Sequence, residues 1–326
     1  MEKPKTILVT GGAGYIGSAC VSLLLHHKYT VVVFGPTSYP EIEKKLTGAI
    51  FEYGDILDEA ALDAVFKRYA FDAVLHLASK KVVGESNLNP ELYFKVNVTG
   101  TINVLSAMSR HGVPSIIFSS SLAVYAPAES EAGAIFSEVS PVSPVSVYAT
   151  TKLMSESIIR EFARVGKIEK FVILRYFNVA GDSGLSFREE KPQGLFAYLM
   201  NSLNTGAEFS MFGADYPTHD GTCVRDYVHV SDVARAHIAA LESEESGVFN
   251  IGSGRGYSMR EIISEFERVS EKELSVVVKD RRIGDPAAVF SDSSKAFASW
   301  GWKAEHSLGD MVRSTIETYS RGDGLE

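Results

Sequence analysis

Tyr148 and Lys152, in the run Tyr148-Ala149-Thr150-Thr151-Lys152, stand four residues apart, which on a helix puts both side chains on one face, one turn from each other. A phenol and an ammonium so placed can make a general base that works near neutral pH. A free phenol has a pKa of about 10. A cation at roughly 5 Å favours phenolate by about 3 kcal/mol at an effective dielectric of about 20, which is about two pKa units. A second positive charge, such as an oxidised nicotinamide, would bring the phenol closer to the pH at which acid/base catalysis is most efficient. The same pair in isolation is an ordinary surface contact, so its meaning rests on its neighbours. Ser121 is the natural third member: it closes the run Ser119-Ser120-Ser121, 27 residues before Tyr148, and its hydroxyl could hydrogen-bond the same substrate oxygen and orient the proton transfer. A serine cluster also satisfies turn backbone, a reading that suits Ser120 better than Ser121.

The elements that would position these residues follow from the pattern of apolar runs. β-Branched stretches at 6–10, 30–34, 50–53, 73–77, 116–119 and 171–174 read as strands. Helical segments start near Gly14, Asp58, Pro90 and Val145, which gives the alternating order of an α/β fold with a doubly wound parallel (Rossmann-type) sheet. Such a sheet puts ligand-facing residues at the carboxyl ends of its strands, where the serine run falls. After about residue 176 the pattern loosens into loops rich in Gly, Asp and Pro (181–194 and 213–221), with helices near 195–203, 258–269 and 308–319. Residues 248–251 are apolar enough to return to the main sheet. The predicted division is therefore 1–175 plus about 226–252 for a dinucleotide-binding domain, and about 176–225 plus 253–326 for a smaller α/β substrate-binding domain. Directly after the first strand stands Thr10-Gly11-Gly12-Ala13-Gly14-Tyr15-Ile16-Gly17, followed by an apolar helix. Glycines there let the backbone turn tightly and approach a pyrophosphate, whose charge sits at the helix N-terminus.

Composition narrows the partner. The 326 residues are 45% hydrophobic and 22% charged, enough to bury a substantial core. A net charge of −9 and the absence of any Lys/Arg run longer than a dipeptide argue against nucleic acid and point to a small molecule. Cys20 and Cys223 are too few for a disulfide framework and lack metal-ligand spacing; they fit a reducing compartment. The N-terminus lacks a signal-peptide core and no apolar run reaches membrane-spanning length, so a cytosolic location is expected. Adjacent His26 and His27 cannot face one metal from a regular helix, and His219, His229 and His237 lack ligand spacing, so no metal is predicted.

The glycine spacing Gly11, Gly14, Gly17 is the form seen in short-chain dehydrogenase/reductases, where a Tyr-x-x-x-Lys pair also belongs. The chain resembles the extended branch of that family, and within it the UDP-glucose 4-epimerases. The resemblance runs over nearly the whole chain: residues 8–17, Gly54-Asp55-Ile56, 81–86, Asn97, 118–121 and 148–152. It continues through Arg175-Tyr176-Phe177-Asn178, 215–218, 220–222, Val224-Arg225-Asp226-Tyr227 and Arg282-Ile283-Gly284-Asp285. It implies NAD as cofactor and reversible oxidation of a nucleotide-sugar at C4. Tyr148 would take the C4 hydroxyl proton and Ser121 would bind O4, while Lys152 would depress the Tyr148 pKa and hold the nicotinamide ribose. By the same resemblance Gly11, Gly14, Tyr15, Ile16, Gly17, Asp55, Ile56, Lys81, Asn97, Ser119 and Tyr176 belong to the cofactor site. Lys81, Asn178, Leu199, Phe212, Arg225, Tyr227, Arg282 and Asp285 belong with the UDP-sugar. The chemistry agrees, since arginines suit a diphosphate and a carboxylate can accept from a ribose. A homodimer through helices near 90–111 and 145–164 is implied as well.

Departures from the pattern matter. The dinucleotide pattern expects an acid at the end of the second strand to hold the adenosine ribose, yet the strand ends Val33-Phe34-Gly35-Pro36-Thr37-Ser38. A charged hydrogen bond is worth roughly 1.5–3 kcal/mol, so its loss would weaken NAD about 10- to 100-fold unless backbone or Ser38 contacts substitute. No Arg replaces it, and NAD held less tightly or less selectively is the expectation. Tyr198 is read in the place of a family Asn that contacts UDP. Val289 stands where some members carry Tyr, a change expected to open room for an N-acetyl group on the sugar. Leu122-Ala123 replaces the Asp-Glu pair that a 4,6-dehydratase needs. Another nucleotide-sugar epimerase or reductase, or a non-catalytic dinucleotide sensor, are the alternatives.

Overall fold

The computed structural model describes residues 4–36, 39–127, 133–188, 194–282 and 284–320. Ser38, Pro192, Gln193 and Ile283 lie outside them. Seven parallel strands form the main sheet: β1 (Thr6–Thr10), β2 (Thr30–Gly35), β3 (Ile50–Tyr53), β4 (Ala73–His76), β5 (Ser115–Ser121), β6 (Lys170–Tyr176) and β7 (Gly247–Ile251). Their spatial order is β7-β6-β5-β4-β1-β2-β3. The chain winds one way from β1 to β3, then crosses to β4 and winds the other way. The crevice for a ligand therefore opens outside the carboxyl ends of β1 and β4, where the order reverses.

Every residue of β1 is buried, as expected for a strand covered on both faces. Alternation splits it between two cores. Ile7 and Val9 pack with Cys20, Val21 and Leu24 of the helix Tyr15–His26 and with Val233 of the helix Val230–Glu242. Leu8 packs on the other face with Leu62 and Val65 of the helix Glu59–Arg68, Val104 and Leu105 of Gly100–His111, and Ile159 of Val147–Arg164. The predicted strands at 116–119 and 171–174 extend to Ser121 and Tyr176, which carries both of those residues into the sheet's ligand-facing edge. The helix expected from Pro90 is interrupted by a π-helical turn at Phe94–Thr99, where the Asn97 carbonyl accepts from the hydroxyls of Thr101 and Ser155.

A five-stranded sheet lies beside the first. Val224–His229 is its centre, antiparallel to Gly256–Ser258 and parallel to Ala288–Ser291 and Asn178–Ala180; Ala288–Ser291 in turn pairs with Ala134–Phe136. Asp226 ties this sheet to the loop after β7. Its buried carboxylate accepts from the amides of Ser253, Gly254 and Ser291 and from both of those serine hydroxyls, at 2.5–3.0 Å. Phe209–Phe212 pairs with Val276–Lys279 in a separate ribbon. The helices Leu195–Thr205, Met259–Ser270 and Leu308–Ser320 share a core of Leu199, Phe266 and Met311 with that ribbon. Ser258 and Glu261 form a capping box at the start of the second of these helices. Among the described residues no helix is long and apolar enough to cross a membrane.

Candidate active site

The glycine-rich turn is built by close approach. Gly11 has φ 70°, and a Cβ on Gly17 would stand 2.2 Å from the Gly11 carbonyl oxygen, so the helix Tyr15–His26 can start this near β1 only with glycine there. Gly14 caps that helix without any side-chain hydrogen bond, which leaves the first amides of the helix facing the crevice. The crevice is a cleft of about 1840 Å³. Gly11, Gly14, Tyr15, Ile16 and Gly17 line one part of it, Asp55, Ile56 and Lys81 another, and Ser119, Ser121, Tyr148, Lys152 and Tyr176 a third. An uncapped helix start, a turn that admits no side chains and an elongated cleft are what a dinucleotide requires, and the residues fit one.

Tyr148 and Lys152 occupy the first two turns of the helix Val147–Arg164, which Ser146 caps by accepting from the Ala149 amide. The Tyr148 amide donates to Ser86 Oγ at 3.1 Å, fixing the start of this helix against the segment after β4. Lys152 is 2% exposed; its ammonium donates to the Ser119 carbonyl at 2.8 Å and lies 5.0 Å from the Phe118 ring and 5.9 Å from the Tyr148 ring. The expected lowering of the Tyr148 pKa by Lys152 is not the balance found. Burial pushes the Tyr148 phenol up, opposed by a hydrogen bond with Ser121, and burial pulls Lys152 down to about 7, opposed by the charge of Glu156. Both ionised forms lose their water, and in each case desolvation is the larger cause.

One residue missed by sequence reasoning lies beneath the pair. Glu156, fully buried one turn beyond Lys152, takes a two-pronged ion pair from Arg175 (2.9 and 2.6 Å) and accepts from Ser120 Oγ at 2.6 Å. The signal was present: Glu156 continues the Tyr148-Lys152 face at the same spacing of four. Asn97 is also placed differently from expectation. It is not in the cleft wall; its amide clasps the backbone of Lys80 from both sides (2.8 and 3.0 Å) and donates to Thr151 Oγ1 at 2.9 Å, so it holds the wall rather than forming it. The Tyr176 hydroxyl donates to His237 Nε2 at 2.6 Å.

Of the residues assigned to the UDP-sugar, Lys81 lines the cleft with Ser121 and Tyr148, whereas Asn178, Leu199, Phe212, Arg225, Tyr227, Arg282 and Asp285 gather in the smaller layer, outside the cleft wall. Arg225 pairs with Asp285, and the Arg282 guanidinium sits 4.1 Å over the Phe212 ring. Asn178 Nδ2 donates to the Asp226 carbonyl at 3.1 Å; Tyr227 is buried against Phe196, and Leu199 is fully buried. Two expectations need correction. Tyr198 is 53% exposed on the outer side of its helix and is not in the cleft. Val289 does not open the cleft either, because its strand turns it inward to pack with Tyr125, Phe136 and Phe177. Gly35 does line the cleft, and a Cβ there would meet nothing within 4 Å.

Comparison with known proteins agrees with this geometry. The model of the NAD dependent epimerase/dehydratase family matches residues 7–252. The chain belongs to this family. Within the family it is 40% identical over 321 residues to a UDP-glucose 4-epimerase of Bacillus subtilis (strain 168), covering 94% of each chain. A solved UDP-glucose 4-epimerase from Stenotrophomonas maltophila, with bound NAD and formylated UDP-arabinopyranose, superposes with a TM-score of 0.92 at 36% identity, covering 98% of this chain and 100% of that one. The UDP-Glc/GlcNAc 4-epimerase of Campylobacter jejuni gives 0.85 at 34% identity over 97% and 99%. In this family, described as NAD dependent, the cleft lined by the glycine turn also holds the Tyr148-Lys152 face.

Proposed function

We propose that the chain inverts C4 of a UDP-hexose, interconverting UDP-glucose and UDP-galactose through a 4-keto sugar. The observation that carries this reading is the convergence of Ser121, Tyr148 and Lys152 on the cleft that the glycine turn also lines. NAD, when bound, supplies the hydride acceptor and donor that such an inversion needs. Tyr148 takes the C4 hydroxyl proton and returns it. Ser121, beside Tyr148 in the cleft wall, holds O4 so that the proton path stays short. Lys152 holds the nicotinamide ribose, with its ammonium steadied by the Ser119 carbonyl. Asn178, Arg225, Tyr227, Arg282 and Asp285 are the candidates for the UDP moiety, the arginines meeting the diphosphate.

Incubation of purified protein with UDP-galactose, UDP-glucose and their N-acetyl counterparts, with and without added NAD, followed by chromatography, tests the reading. Interconversion without net consumption of reduced cofactor is expected; turnover that consumes it stoichiometrically would make the protein a reductase. The chain is also proposed to work as a homodimer in a reducing compartment, where Cys20 and Cys223 stay thiols. Leu92 before the π turn, Ile102 in Gly100–His111 and Met154 in Val147–Arg164 are 37–41% exposed, an apolar face that a second copy would cover. Light scattering at twice the chain mass is expected.

A further inference from the structure

The open end of β2 faces a second feature of the cleft. The segment after Asn178–Ala180 returns across the carboxyl edge of the main sheet, and Gly184, Ser186, Phe187 and Arg188 line the same cleft as Gly35. It is fastened at both ends and in the middle. The Tyr15 hydroxyl donates to the Gly181 carbonyl at 2.5 Å, and Lys45 Nζ donates to the Leu185 carbonyl at 2.6 Å. Arg188 donates to the Thr318 and Tyr319 carbonyls. Within the segment, the buried Asp182 carboxylate accepts from the amides of Gly184, Ser186 and Phe187, holding Ser186 in a left-handed conformation with φ 50°. A strained non-glycine backbone of this kind persists only where its surroundings dictate it. The outcome is the position of Phe187: its ring lies 5.7 Å from that of Tyr15, at the start of the phosphate-facing helix, and 6.1 Å from that of Tyr39, just after β2.

We infer that the strap Asp182–Arg188, through the Phe187 ring, supplies a grip on the adenosine half of the dinucleotide that β2, ending in Gly35, cannot supply by a carboxylate. This rests on the reading of the cleft as an NAD site. An acid at β2 binds the ribose by charged hydrogen bonds, whereas an aromatic ring offers apolar surface to a flat nucleobase and its sugar. Base-to-aromatic contact is lost on substitution by alanine at a cost between about five- and a hundredfold in affinity. Three elements far apart in sequence carry Tyr15, Tyr39 and Phe187, so the grip forms only in the folded chain.

Calorimetric titration of nucleotide-stripped protein with NAD, ADP-ribose and UDP tests the inference. Phe187→Ala should weaken NAD and ADP-ribose alike by at least about fivefold and leave UDP unchanged. Gly35→Asp should tighten both and restore affinity in the Phe187→Ala background. Phe187→Leu, which keeps apolar volume without a ring, should also weaken ADP-ribose, and it serves where the alanine variant unfolds. ADP-ribose affinity within twofold of the parent in both Phe187 variants, or an equal loss of UDP affinity, would overturn the inference. A parent that binds UDP but neither NAD nor ADP-ribose would instead sink the functional reading itself, and the strap's role with it.

Discussion

Tyr148 meets a requirement of its own: among the described residues of the cleft wall, it is the phenol whose ring lies 5.9 Å from the Lys152 ammonium. Tyr148→Phe removes one oxygen and keeps the ring's packing. Turnover should fall by about 10²–10⁴-fold, the usual contribution of a positioned acid/base, with the unfolding midpoint unchanged. A near-normal rate would remove Tyr148 from the mechanism. Lys152 carries a measurable electrostatic burden as well. Its pKa falls from 10.5 when unfolded to about 7 when folded. The unfolded chain then binds the extra proton between those values, so the cost of Lys152 is full below pH 7 and is relieved as the pH rises towards 10.5. Lys152→Met should therefore gain most over the parent near pH 6. That gain should shrink by at most about 2.7 kcal/mol from pH 7 to 9, read from urea midpoints. A gain that does not change with pH would show the ammonium to be solvated. The types and spacing of Ser121, Tyr148 and Lys152 were legible in the chain. The sign of their mutual influence was not, because desolvation depends on what covers a residue rather than on what precedes it.

Elements set how closely backbone may approach, and two glycines with opposite surroundings make this testable. Gly17→Ala places a methyl 2.2 Å from a backbone oxygen that cannot rotate away. A loss of roughly 1–3 kcal/mol in denaturant unfolding is expected, together with weaker NAD binding as the helix start withdraws. Gly35→Ala meets no atom within 4 Å and should leave stability within about 0.5 kcal/mol. Equal effects from the two would contradict the approach described for the turn. The central strands of the main sheet were readable because burial on both faces leaves continuous apolar runs rich in β-branched residues, whereas the edge strand Ile50–Tyr53 is only partly buried. Ala134–Phe136 was not: three residues carry no period, and its partner Ala288–Ser291 lies far along the chain. Nor does composition announce the π turn at Phe94–Thr99, within which the Asn97 carbonyl accepts from two side-chain hydroxyls.

For the whole molecule, buried imidazoles govern the response to acid. His76 accepts from the Thr10 hydroxyl at Nδ1 (2.7 Å) and donates from Nε2 to Thr101 (3.0 Å), while His237 donates to the Val233 carbonyl and accepts from Tyr176. Burial drags His76 to about 3 and His237 and His229 to about 4. Each is neutral when folded and protonates near 6.5 when unfolded, so its contribution is complete above pH 6.5 and is lost as the pH falls towards 4. Melting temperature should drop through that window, and His76→Phe should flatten the drop; an unchanged slope would mean that the imidazole charges in place. The substrate side was the least legible at this scale. The family pattern gives Tyr198 and Val289 only a place in the chain, but helix rotation and strand facing decide what a side chain meets.

The way the two sheets share the chain has a consequence for the protein's birth. β7 closes an edge of the main sheet from residues 247–251, and Ala134–Phe136 finds its partner only at 288–291. At synthesis rates of about 5–20 residues per second, the earlier strand emerges from the ribosome roughly 8–30 s before its partner exists. During that time the orphan strand is open to other chains, and for about 4–15 s of synthesis at the same rates so is the β6 edge. The hazard to this protein therefore falls on the nascent polypeptide, where occupancy by chaperones rather than the strength of the finished core would govern yield.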